Sequence, residues 1–131
     1  MSSAERLMSA MTAAYDGDDW ERYHQQYAVD AVLHSADGEL RGADEIVAYD
    51  RRVKDVLAAS VERDLLVTGE GWAAWRWRLS GAHRGEFGGL AATGRKVDFS
   101  GASIARLSDE VICELWTFPD RLAFLRQVGA I

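Results

Sequence analysis

Apolar residues recur at helical spacing over the first part of the chain and at alternate positions over the second. Leu7, Met8, Met11 and Tyr15 predict a helix over 3–15. The run Asp16, Gly17, Asp18, Asp19 breaks it. Asp18 or Asp19 can then cap a second helix from Trp20 to about Tyr27, with Trp20, Tyr23, His24 and Tyr27 on one face. Alternation of Val29, Ala31 and Leu33 predicts a short strand over 29–35, closed by a turn at Asp37 and Gly38. A third helix is expected over 44–58, with Ile46, Val47, Val53, Val56 and Leu57 inward. From there the period becomes two. Strands are expected at 61–68, 72–80, 95–107 and 111–118, and a short helix at 121–128. On the second of these strands Trp75, Trp77 and Leu79 share one face, and Arg76 and Arg78 the other.

Helices followed by an antiparallel meander make an α+β fold. A curved sheet with helices over one face closes into a cone with an interior pocket. The connection Gly81–Arg95 is long for a hairpin. It carries five glycines and His83, and reads as a decorated rim over that pocket.

The length of 131 residues suits one domain, 1–131, with one core. A net charge of -6 argues against a nucleic-acid footprint, which needs a clustered basic face. The apolar runs are too short for a membrane span, and the N-terminus has no apolar h-region of a secretory signal. One cysteine, Cys113, excludes an internal disulfide and suits a cytoplasmic protein. It reads as a small buried hydrophobe. Five tryptophans imply either a large apolar core or an apolar ligand chamber.

Three residues carry candidate chemistry. Asp120 follows the last strand; it can cap the final helix. By alternation it also shares a face with Phe118, Trp116 and Glu114. On a pocket wall, desolvation would raise its pKa and make it a proton carrier. Both readings of Asp120 stay open. His83 is in phase with Trp75 and Trp77 and can donate to an oxygen gaining charge, or can be a polar turn residue. His34 ends the first strand. Glu114 can pair with Asp120 as acid and base, or with Arg76, Arg78 or Arg106 as a salt bridge. The histidine spacings match no metal pattern, and no phosphate-binding glycine motif follows a strand, so no metal or nucleotide cofactor is expected.

Taken together, these residues resemble the SnoaL-like polyketide cyclase family of the nuclear-transport-factor-2-like superfamily. The resemblance rests on Trp77, the run Gly81-Ala82-His83-Arg84-Gly85-Glu86-Phe87, then Thr93-Gly94-Arg95. It continues through Ile112-Cys113-Glu114-Leu115-Trp116, Asp120 and Gln127-Val128-Gly129, with His34 and Gly42 upstream. It covers roughly residues 5 to 130. It implies an α+β cone, a homodimer through the outer face of the sheet, and a cofactor-free ring closure of a natural-product intermediate. The resemblance gives the acid/base role to Asp120 and hydrogen bonding of the enolate or carbonyl oxygen to His83 and His34. The expected substrate is an apolar poly-carbonyl molecule, held by an aromatic wall of Trp75, Trp77, Trp116 and Phe118. Alternatives on the same fold are epoxide opening or isomerisation, and a non-catalytic binding dimer whose cone is filled by its own tryptophans with Asp120 at the surface.

Overall fold

A computed structural model describes residues 1–131. Helix α1 (Ser3–Asp16) opens with a reciprocal cap: Ser2 Oγ accepts from the Glu5 amide, and the Glu5 carboxylate accepts from Ser2 N. Its buried stripe is Ala4, Leu7, Met11, Ala14 and Tyr15, with Met8 at the margin. Helix α2 (Trp20–His24) is capped by Asp19, which accepts from Arg22 N. It stops short of the expected end. The Gln26 carbonyl accepts from Ile112 N, so the chain has already joined the sheet, and Tyr27 opens strand β1 (Tyr27–Ser35). Strand β2 (Gly38–Arg41) pairs back on β1 where only a turn is expected.

Helix α3 (Ala43–Val56) is followed by β3 (Ser60–Gly69), β4 (Trp72–Ala82), β5 (Lys96–Ser108) and β6 (Val111–Pro119), and then by helix α4 (Arg121–Gln127). The four strands form the expected antiparallel meander. The sheet is larger than that, because β1 lies parallel to β6 and brings β2 with it. Its order is β2-β1-β6-β5-β4-β3. The register of β3 on β4 slips between Asp64 and Val67, and Leu65 there has φ 50°.

Two apolar clusters fill the concave side. One packs α1, α2 and the front of α3 on the sheet through Leu7, Met11, Tyr23, Ile46, Trp75 and Leu115. The other joins the end of α3 to α4 through Leu57, Leu79, Phe99, Phe124 and Val128. Gly81 marks where the end of β4 touches the turn after α3: a Cβ there would lie 2.0 Å from the Leu57 carbonyl oxygen. No helix is long and apolar enough to cross a membrane.

Candidate functional site

Between the two clusters lies a cavity of about 170 Å³. That is close to the ~150 Å³ of an engineered void that takes a benzene ring. The sheet contributes Trp75, Trp77, Leu79, Phe99 and Leu115, and the helices add Tyr15, Tyr23, Tyr49 and Phe124. The tryptophans line the chamber rather than plug it.

One carboxylate lines this chamber, Asp50. It sits on the inward stripe of α3, in helical register with Ile46, Val47, Val53 and Leu57. Tyr23 Oη donates to Asp50 Oδ2 at 2.8 Å. Burial pushes the Asp50 carboxyl up to about 6, against the Tyr23 hydrogen bond and the charge of Arg63, which both pull it down. Tyr15, Tyr23 and Tyr27 are raised above the usual phenol value, first by burial and then by the Asp50 charge. All three stay protonated at neutral pH, and Tyr23 donates its proton to Asp50. Arg63, on the inner face of β3 beside Trp77 in the ladder, lines the chamber opposite the helices. Trp77 Nε1 donates to Ser103 Oγ at 3.2 Å, which fixes the indole against the wall.

The expected site residues are not brought together. Asp120 is exposed and caps α4, accepting from Ala123 N at 3.1 Å. It does not line the chamber, although its neighbours Pro119 and Arg121 do. Trp75 and Trp77 line the chamber. Glu114, Trp116 and Phe118 do share a face, but it is the outer one, because Ser103 pairs with Thr117 and points Leu115, Thr117 and Pro119 inward. Alternation separates two faces of a strand; it does not say which is inside when both carry apolar side chains.

His34 lies on the outer face too. It stacks on Trp116 at 5.2 Å, with ring nitrogens 2.6 Å from Glu114 and 3.2 Å from Glu39. Glu114 also accepts from Arg106 and is held below the usual carboxylate range, first by His34 and then by Arg106. His83 is fully buried, bonded through Nδ1 to Thr93 Oγ1 at 3.1 Å, and its Nε2 has no partner. It packs edge-on against Phe124, which lines the chamber, while His83 itself does not. From its loop it is Phe87 that reaches the chamber. Cys113 is only partly buried and donates to the Arg106 carbonyl.

Two site residues escape the first reading of the sequence. Asp50 and Arg63 are charged residues at inward positions of an otherwise apolar stripe, on helix 44–58 and strand 61–68. On the helix, that misplaced polarity is the signal that marks Asp50. No group of three or more His, Cys, Asp or Glu side chains is arranged to hold a metal ion.

The chain is similar to several solved structures across its whole length. TsrD from Streptomyces laurentii is 26% identical with a TM-score of 0.88, over 98% of this chain and 96% of TsrD. AclR from Streptomyces galilaeus, named as a candidate hydroxylase, is 25% identical with a TM-score of 0.83, over 99% of both chains. IdmH from Streptomyces antibioticus, named as a candidate polyketide cyclase, shares the fold at 23% identity and a TM-score of 0.79, over 95% of this chain and 97% of IdmH. No protein of curated function matches in sequence. The cone is thus the nuclear-transport-factor-2-like and ketosteroid-isomerase-like fold. The model of the SnoaL-like polyketide cyclases matches residues 5–128, and with nearly the whole chain covered this protein belongs to that family.

Proposed function

We propose that this protein closes a ring on an apolar poly-carbonyl intermediate of natural-product biosynthesis, with Asp50 as the proton carrier. The observation that carries the reading is a single carboxylate, poised near pH 6, facing an aromatic chamber in a member of a cyclase family. Asp50 takes a proton from a carbon flanked by carbonyls, and the C–H electron pair becomes the enolate. The enolate carbon attacks a second carbonyl of the same molecule, forming the C–C bond. The resulting alkoxide takes the proton back from Asp50. Donor and acceptor are one molecule, so no electrons are exchanged with a partner. A carbon between two carbonyls is acidic enough that a carboxylate of modestly raised pKa suffices. The aromatic walls hold the chain folded, and such positioning can supply about 7–11 kcal/mol in favourable intramolecular cases. Epoxide opening by paired carboxylates fits less well, because Asp50 has no second acid beside it on the chamber wall.

The assignment is tested without the natural substrate. Deuterium exchange at C2 of the tetralone 2-acetyl-1-tetralone in D2O, followed by NMR, reads proton abstraction from a carbon flanked by two carbonyls. Asp50→Asn is expected to slow protein-dependent exchange about 100-fold or more. Asp120→Asn should leave it within about twofold, since Asn caps a helix as well as Asp. The opposite pattern would return the role to Asp120.

The same reading includes a homodimer through the outer sheet face. Val67, Ala74, Ile104, Trp116 and His34 are consecutive cross-strand partners in one row over five strands. Ile104, Trp72 and Phe118 are 41%, 44% and 58% exposed on that face. Beside the row, Arg76 pairs with Asp64 and Arg78 with Asp98, so a second copy would cover these charges as neutralised pairs.

A further inference from the structure

Arg63 is the only arginine of the chain that is not exposed. It points into an apolar chamber, where an unpaired guanidinium is costly. Yet it takes part in none of the ion pairs that engage Arg41, Arg76, Arg78, Arg106 and Arg121. Its one side-chain hydrogen-bond partner is Thr12 Oγ1 at 3.5 Å, the long limit of such a bond. Its guanidinium carbon lies 5.2 Å from the centre of the Tyr15 ring, which steadies the group without using its donors. A planar five-donor group held in the wall and left with donors free is built to receive an oxygen.

The hydroxyls of Tyr15, Tyr27 and Tyr49 also line the chamber but are neutral, and Arg63 is the one cation of the wall outside an ion pair. The Tyr23 hydroxyl is bonded to Asp50. Arg121 is tied to both oxygens of Asp37. His83 has a free Nε2 but does not line the chamber.

We propose that Arg63 holds the oxygen on which negative charge develops when Asp50 takes its proton, so that the chamber selects ligands that present an ionisable enol or phenol oxygen. This rests on the reading of the chamber as the reaction site. Before the step the charges stand on Asp50 and Arg63. Afterwards the proton is on the Asp50 carboxyl and the C–H electron pair is delocalised onto the substrate oxygen beside Arg63. Net charge in the chamber is unchanged, and the guanidinium has an anion near it throughout. A fixed cation aimed at the atom that gains charge is the arrangement that lowers such a barrier most.

The test uses 4-nitrophenol, whose anion absorbs in the visible, and its methyl ether 4-nitroanisole, which cannot ionise. The Asp50→Asn protein reproduces the neutral carboxyl that follows proton transfer. Bound to it, 4-nitrophenol should be shifted at least about tenfold toward the anion relative to buffer. Adding Arg63→Lys should keep part of this shift, and adding Arg63→Met should abolish it while 4-nitroanisole still binds. Equal ionisation in the Asp50→Asn and Asp50→Asn/Arg63→Met proteins overturns the proposal. So does ionisation in the Asp50→Asn protein no greater than in buffer, a result that needs no Arg63 variant to fold. Tetralone exchange separates the two readings. Exchange without the anion shift removes the role of Arg63 and leaves the cyclase reading; the shift without exchange does the reverse.

Discussion

At Asp50 the proposed chemistry and the pH response meet in one residue. Because its carboxyl is raised to about 6, kcat/KM for tetralone exchange should fall about tenfold per pH unit below 6 and level off above it. Tyr23 donates to the ionised form, so Tyr23→Phe should move that acid limb to higher pH by about one unit, which the same pH series would show. The unfolded value is about 3.9, so the native state binds this proton more tightly than the unfolded chain. The stability that Asp50 contributes is therefore full below the unfolded value and fades as pH rises through 6. Asp50→Asn should make the protein more stable than the wild type at pH 8, by roughly 1–3 kcal/mol, and the difference should vanish near pH 3. Urea titrations at the two pH values measure it. At this scale the sequence was partly legible. Trp75 and Trp77 could be placed on the chamber wall because a tryptophan at every second position leaves little choice of face. Asp50 is legible only as misplaced polarity on the inward stripe of helix 44–58, and Arg63 was hidden because the face of a strand with a register slip is not fixed by its pattern.

The short α4 depends on its first residue. Asp120 bonds the Ala123 amide, and Asp120→Ala should cost about 1 kcal/mol in thermal denaturation, while exchange by the folded protein stays near the wild-type rate. The strand pair β4–β5 depends on a missing side chain. The Trp77 indole packs against Gly101, where a Cβ would come within 2.3 Å of Trp77 Cζ2. Gly101→Ala should push the indole into the chamber, break its bond to Ser103, and cost about 1–3 kcal/mol. Weaker binding of 2-acetyl-1-tetralone alongside that loss would show that the indole has moved inward. The long strands of the meander were legible almost to the residue, since each carries a full period-two pattern between turn residues. β2 was not, because Gly38–Arg41 holds one apolar residue and exists only through its pairing with β1.

Over the whole molecule, what local pattern cannot convey is the parallel contact of β1 with β6, whose paired residues His34 and Trp116 are far apart in the chain. That contact extends the outer apolar row onto β1. If the row is a dimer face, Ile104→Arg should raise the dimer dissociation constant by at least about tenfold, as sedimentation would show. The helices lie on the concave side, so secondary structure should be unaffected. The opposite boundary of the sheet suggests how copies are kept from meeting in other ways. β3 has a neighbour on one side only, and an open strand edge invites another chain to add a strand. The slip between Asp64 and Val67, with Leu65 turned to positive φ, interrupts that edge midway. An incoming strand would find two short stretches out of phase rather than one continuous template. The bulge thus acts as a guard against strand addition along the β3 edge.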